Sequence, residues 1–318
     1  MGMQLYSKVM NHLGSGGGLL IDGATGTEIE RRGAAMDEGA WCAMATKTHP
    51  EILKSVHRDY IRAGARVITT NTFSTNRNML EPAGHGDDFE LLNDHACALA
   101  LAARTEEGAE DKVLIAGSMS HQVPFVNDSK GGVTSRTLPP LEVAERNFKE
   151  MANRLASNGV DFILLEMMSQ PELANLAIEA VRGTGLPYWV GFTVGHDDDL
   201  NVVSHNLRDL PASQMFVDIN FEDADAAGIM HSSVNVTQPG LEILREHFDG
   251  PLMAYPDSGY FTMPHWHFEN IIPSAQLNEF AERWMESGAQ IIGTCCGLGI
   301  EHIQALNAHF STRLGDIH

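Results

Sequence analysis

Short apolar runs rich in β-branched residues recur along the chain, and each is followed by a stretch of helical period. A short run bounded by turn residues reads as a buried strand, and a longer stretch repeating every three to four residues reads as an amphipathic helix. The alternation predicts repeated βα units and a parallel sheet. Eight strands are predicted, at 19–22, 66–70, 113–117, 162–166, 188–193, 227–230, 252–255 and 291–294. Helical periodicity covers 49–63, 89–107, 141–158, 171–184, 237–247 and 274–287. Gly64 and Gly159 follow helices, while Pro50, Pro171 and Pro239 sit near helix starts, each residue type at the end that suits it.

Eight such units close most naturally into an α/β fold of the (β/α)8 TIM-barrel type, the alternative being a doubly wound open sheet. No linker-like or low-complexity stretch divides the chain, so residues 1–318 are expected to form one barrel domain. The connections at 118–140, 195–210 and 257–272 are long, and in a barrel such loops roof the active-site face. Gly14 to Gly18 satisfies neither a phosphate-loop nor a dinucleotide fingerprint and reads as a flexible lead-in.

Charge narrows the partners. The 318 residues include 42 acidic and 21 basic side chains, a formal charge of −21. That balance repels phosphate backbones and anionic membrane surfaces and favours cationic small molecules. Neither nucleic acid nor membrane is therefore expected as a partner, while a homo-oligomer is compatible with the sequence. The four cysteines are too few for a stapled secreted scaffold and suit a reducing interior. No apolar run approaches the ~18 residues of a membrane span, and the N-terminus lacks a signal-peptide layout. The protein is expected to be cytoplasmic.

In a barrel the chemistry belongs to residues just past the strand ends. Here these are Asp22, Thr70 and Asn71, Ser118, Glu166, Thr193, His231, Asp257 and Ser258, and Cys295-Cys296-Gly297. His231, Cys295 and Cys296 supply a Cys2His set, a catalytic zinc combination that leaves a fourth position open. Adjacent cysteines on a regular strand point to opposite faces, and Gly297 permits the sharp turn that would converge them. Zinc held so would bind a substrate thiol and keep it as a thiolate. Cys42 and Cys97 stand alone and read as structural. Glu166 ends the apolar run 162–165, so its carboxylate is expected at the barrel mouth, able to accept from an ammonium group. Asp22 lies in the glycine-punctuated stretch 22–28, either as a turn-capping aspartate or as a binding group. His265-Trp266-His267 reads as packing in the loop after the seventh strand.

These residues resemble the homocysteine S-methyltransferase family. The resemblance rests on Asp22-Gly23-Ala24-Thr25-Gly26-Thr27-Glu28, Thr70-Asn71-Thr72-Phe73, Ala116-Gly117-Ser118, Leu165-Glu166, Tyr255-Pro256-Asp257-Ser258-Gly259 and Gly293-Thr294-Cys295-Cys296-Gly297. The double cysteine in its glycine-rich setting is the specific element. The resemblance implies a zinc-binding barrel that methylates the sulfur of homocysteine. It implies that Glu166 holds the amino group of the amino-acid substrate and that Asp22 with Gly23 contacts it, with Thr70, Asn71 and Ser118 also in the substrate site. Where the family has Gly-x-Asn-Cys after the sixth strand, this chain has Gly228-Ile229-Met230-His231. An imidazole thus replaces the third thiolate, and with a bound substrate thiolate the zinc centre carries −1 rather than −2.

The function expected is zinc-dependent methyl transfer to a thiol, with homocysteine as acceptor. The chain has no room for folate and cobalamin modules, so a self-contained sulfonium or quaternary-ammonium donor is expected, with Tyr260, Phe261 and Trp266 offering aromatic faces to the cation. Two alternatives stand beside it: a metal-dependent hydrolase using His265, His267 and Asp257, and a non-catalytic zinc- or thiol-binding relative.

Overall fold

The computed structural model of the protein describes residues 2–122 and 138–314, together with the backbone of 126–127 and 133–134. Eight parallel strands run through it: β1 Leu19–Leu20, β2 Val67–Thr69, β3 Leu114–Ser120, β4 Phe162–Glu166, β5 Tyr188–Phe192, β6 Ala226–Ser233, β7 Leu252–Asp257 and β8 Ala289–Ile292. Each pairs with its sequence neighbours, and β1 pairs with β8. The ring closes between β1 and β2 through a parallel bridge from Ile21 to Val67, where Arg66 N donates to Leu20 O at 2.8 Å and Asp22 N to Val67 O at 3.0 Å. The fold is the TIM barrel, and the open-sheet alternative falls with that closure.

The helices that wrap the barrel are α3 Pro50–Ala63, α4 Phe89–Glu106, α5 Leu141–Ser157, α6 Pro171–Arg182, α7 Ala212–Asp218, α8 Val234–Arg245, α9 Ser274–Glu286 and α10 Ile300–His309. They are preceded by α1 Gly2–Gly14 and α2 Thr25–Arg31. Helix α8 begins three residues before the expected 237, so Pro239 lies inside it rather than at its start. No described helix is long and apolar enough to cross a membrane. The long connection expected at 118–140 falls largely outside the described residues.

Strand alternation builds two apolar layers. Ile163 and Leu165 of β4 face the helices, whereas Phe162 and Leu164 face the barrel axis. The inner layer also holds Leu5, Tyr6, Val9 and Leu13 of α1. From the sequence only Gly14 to Gly18 is read, as a lead-in, and no helix is assigned to the residues before them, where α1 lies. Its apolar positions do repeat at helical spacing, but what makes it structural is the open base of the barrel, which it plugs: Tyr6 packs on Phe162 with ring centroids 5.5 Å apart, donates to Asp225 at 2.7 Å and accepts from Trp189 Nε1 at 3.0 Å.

Candidate functional site

At the C-terminal end of β6 the chain leaves regular geometry. Its register with β7 shifts between Met230 and Ser233, and His231 between them takes a left-handed backbone with φ 47°. That conformation costs on the order of 1–3 kcal/mol in a residue other than glycine, and a bulge re-aims the side chains beside it. Here the imidazole turns into the barrel mouth, with Nε2 2.9 Å from Glu166 Oε2 and Nδ1 3.0 Å from Cys295 Sγ. Glu166 gets there by alternation, as the next inward position after Phe162 and Leu164.

Cys295 and Cys296 follow β8 in a turn stitched to the end of β7. Cys295 N donates to Pro256 O at 2.6 Å and Ser258 N to Cys296 O at 2.9 Å. Gly297 closes the turn with φ 83°, and a Cβ there would lie 1.8 Å from Ser258 O. Glycine alone combines that backbone with that approach. Freed from strand alternation, the two sulfurs stand 3.8 Å apart.

Two sulfurs bound to one tetrahedral zinc at about 2.3 Å each are separated by roughly 3.8 Å, whereas a sulfur and an imidazole nitrogen on such an ion stand roughly 3.5 Å apart. The sulfur spacing fits as found, and the contact of Cys295 with Nδ1 is that of a hydrogen bond. Among the described residues no three His, Cys, Asp or Glu side chains close on one point as they stand. The donor set suits zinc in kind, and the thiol–imidazole contact has to open by about 0.5 Å to admit it.

Burial opposes charge on His231, but Cys295 and Glu166 outweigh it and hold the imidazolium well above the usual histidine range. Burial, reinforced by Cys296, pushes the Cys295 thiol up while His231 pulls it down. Burial raises the carboxyl of Asp257 to about 6 against the pull of His231.

Two cavities meet at this cluster. One, about 50 Å3, is lined by Thr69, Thr70, Asn71, Ser118, Glu166 and Cys295 among others. The second, about 300 Å3, is walled by aromatic rings and methionines and also touches Asp257. Trp41, Phe73, His231 and Cys296 line both, so the thiol–imidazole cluster stands between a narrow chamber and a wide one.

The residues expected in the site divide accordingly. Thr70, Asn71, Ser118 and Glu166 line the narrow chamber together with His231, Cys295 and Cys296. The Ser118 hydroxyl is buried and has no hydrogen-bond partner among the described residues. Asn71 is occupied: its amide donates to Cys42 O at 3.1 Å and Thr46 Oγ1 at 3.0 Å, and its oxygen accepts from the Cys42 thiol at 3.3 Å. Asp22 and Gly23 do not line either chamber. Asp22 accepts from Thr69 N at 2.7 Å, Thr69 Oγ1 at 3.0 Å and the Tyr255 hydroxyl at 3.3 Å, and burial pushes its carboxyl up to about 8. It ties β1 to β2 and β7 beneath the site. A Cβ on Gly23 would meet Thr294 Oγ1 at 2.6 Å and the Tyr60 hydroxyl at 2.7 Å.

Sequence reasoning missed Trp41 and placed Cys42 outside the site, although both line the narrow chamber. Nothing in their sequence surroundings marks them, since they come from the connection after β1. Phe73 lies within a motif stretch already noted. Tyr260–Thr262 and His265–His267 form an antiparallel hairpin over the wide chamber. His265 Nδ1 lies 2.8 Å from Glu30 Oε1, and His267 stacks on Tyr260 with centroids 4.3 Å apart. Both histidines thus pack at the roof of the barrel, one against Glu30 and the other against Tyr260.

A model of the homocysteine S-methyltransferase family matches residues 19–310. Betaine–homocysteine S-methyltransferase 1 of Danio rerio is 26% identical over 96% of this chain and 76% of its own length. Selenocysteine Se-methyltransferase of Brassica oleracea var. italica is 26% identical over 94% of this chain and 90% of its own. Among solved structures, the metallated form of the homocysteine methyltransferase MmuM from Escherichia coli superposes with a TM-score of 0.74 at 24% identity, covering 95% of this chain and 99% of that one. The last likeness is one of fold.

Proposed function

Because this chain belongs to the homocysteine S-methyltransferase family, we propose that it transfers a methyl group from a small cationic donor, a sulfonium or quaternary ammonium compound, to the thiol of homocysteine. The observation that carries the reading is the pair of chambers meeting at Cys296 and His231, one narrow and bordered by Glu166, the other wide and walled by aromatic rings. A two-substrate transfer needs such a junction, because the acceptor sulfur and the donor methyl must meet in line without either substrate occupying the other's place.

His231, Cys295 and Cys296 are the residues to hold zinc, with His231 offering Nδ1 while its Nε2 hydrogen-bonds to Glu166. Zinc held there supplies one thing, a lowered pKa for the substrate thiol at neutral pH. The rest falls to the chain. Glu166 orients the imidazole through one carboxylate oxygen and has the other for the substrate ammonium. The unpartnered Ser118 hydroxyl offers a further hydrogen bond inside the narrow chamber. Trp41 and Phe73 exclude water at the junction, which favours a reaction in which a thiolate and an onium cation become a thioether and a neutral leaving group. The new sulfur–carbon bond forms as the donor's onium–carbon bond breaks, and the bonding pair departs with the donor.

The test is methionine formation from homocysteine by zinc-loaded protein, with sulfonium and quaternary ammonium donors offered in turn. Turnover that requires homocysteine and disappears on zinc chelation supports the reading. Absence of turnover with every cationic donor overturns it.

A further inference from the structure

The wide chamber differs from the narrow one in its size and in its wall of aromatic rings. Its aromatic wall is continuous: Phe73 packs on Trp41 with centroids 6.3 Å apart, Trp41 on Phe261 at 5.6 Å, and Phe261 on Trp266 at 6.3 Å. Among the described lining residues there is no lysine and no arginine, and Asp257 is the one carboxylate. Met253 and Tyr255 of β7 face the barrel axis, so Asp257, two positions on, faces inward as well. Its carboxylate is half-buried and makes no hydrogen bond among the described residues, the one charged group acting on it being His231. A carboxylate so placed is costly unless something charged or hydrogen-bonding arrives beside it.

A methylated onium ion fits that requirement. It carries no N–H or S–H donor, so it cannot be recognised by hydrogen bonds and needs negative charge and aromatic faces instead. A second carboxylate on the same donor would stand in the chamber beside Asp257 with no lysine or arginine among the described lining residues, and the His231 imidazole at the junction is already engaged by Glu166 and Cys295. Like charges in such surroundings discriminate strongly between otherwise similar ligands.

We propose that Asp257 is a specificity-determining residue that selects the methyl donor by net charge: the wide chamber takes a tetraalkylammonium or trialkylsulfonium ion without a carboxylate and disfavours zwitterionic onium acids. This rests on the methyl-transfer reading above and narrows its donor. The positive charge is greatest on the bound donor and is dispersed as the methyl leaves, so Asp257 stabilises the ground state at least as much as the transition state. Its loss therefore acts mainly on KM rather than on kcat.

The experiment compares two matched pairs that differ by one carboxylate, trimethylsulfonium with dimethylsulfonioacetate and tetramethylammonium with trimethylglycine. Each is offered with homocysteine to the zinc-loaded wild type and to Asp257→Asn. Each is also titrated without homocysteine while the fluorescence of Trp41 and Trp266 is followed. In the wild type, trimethylsulfonium is expected to exceed dimethylsulfonioacetate about tenfold or more in kcat/KM and in affinity. In Asp257→Asn that ratio falls toward one, mostly through donor KM, while zinc content and homocysteine KM stay as they were. Equal or better use of the zwitterions by the wild type, or a ratio unchanged in Asp257→Asn, overturns the proposal and leaves methyl transfer standing. If no donor methylates homocysteine, the methyl-transfer reading falls, and the fluorescence titration alone still decides charge selection. A preference for the cations that Asp257→Asn abolishes supports it, and equal binding of both members of a pair overturns it.

Discussion

Glu166 Oε2 lies 2.9 Å from His231 Nε2, across the mouth of the barrel from one strand end to another. The contact gives Glu166 a task beside the substrate binding proposed for it, because a hydrogen bond on one ring nitrogen fixes which nitrogen is free to ligate a metal. With Glu166 on Nε2, His231 is committed to Nδ1, the atom that already touches Cys295.

Removing that hydrogen bond should weaken the metal site. Glu166→Ala is expected to lower zinc affinity about 10–100-fold, the usual effect of losing a partner of a ligating histidine, and to raise the KM for homocysteine. Chelator competition reads the first and initial rates the second. Unchanged zinc affinity would separate Glu166 from the metal site.

The ligand role of His231 is tested by metal content after dialysis. His231→Ala is expected to lose its zinc, whereas His231→Cys should retain it with one more thiolate in the set. Equal zinc in His231→Ala and wild type would remove His231 from the ligand set.

Glu30 of α2 holds the roof hairpin, accepting from Trp266 N at 3.2 Å and lying 2.8 Å from His265. His265 is exposed, so this latch is weak. Glu30→Ala is expected to raise donor KM by no more than about fivefold, the factor equivalent to 1 kcal/mol, and to leave homocysteine KM unchanged. Steady-state kinetics with each substrate varied in turn checks the asymmetry.

The plug at the barrel base affects stability and not chemistry. Leu13 is buried in the inner layer, so Leu13→Ala is expected to cost about 2–5 kcal/mol of stability. Denaturant unfolding measures the loss. The kcat of the folded variant at low denaturant should equal that of the wild type, because α1 lies at the end of the barrel opposite the site.

His57 sets an acid limit. It is fully buried in α3, neither ring nitrogen has a partner among the described residues, and burial lowers its pKa to about 3. The unfolded chain binds the proton near the ordinary value of about 6.5, so this histidine's contribution is fully present above that pH. It is lost as pH falls toward 3, at up to about 1.4 kcal/mol per pH unit. His57→Leu should flatten the decline of unfolding free energy between these limits, and an unchanged slope would contradict the assignment.

Much of the fold is legible in local pattern. The apolar runs locate all eight strands, and β4 runs from Phe162 to Glu166 as expected. The helix before β1 was not legible as structure, since only the open barrel base gives Leu5, Tyr6, Val9 and Leu13 something to cover. At the site, Glu166, His231, Cys295 and Cys296 were legible because each ends or follows a strand. Trp41 and Cys42 were not, because they reach the chamber from a connection with no period to read. Asp22 shows the opposite limit: its position at a strand end marks it for the mouth, yet Thr69 and Tyr255 occupy it underneath.

By itself the chain determined the barrel, the family and the residue types gathered at the mouth, because strand and helix periods are written in consecutive side chains and the double cysteine survives as a local motif. Tertiary structure alone decided that Glu166 faces His231, that Asp22 lines neither chamber and that Asp257 shares a chamber with an aromatic wall. Those relations depend on the strand register, on a left-handed turn at His231 and on how eight separate loops close over one opening, and no stretch of neighbouring residues encodes a distance between strands.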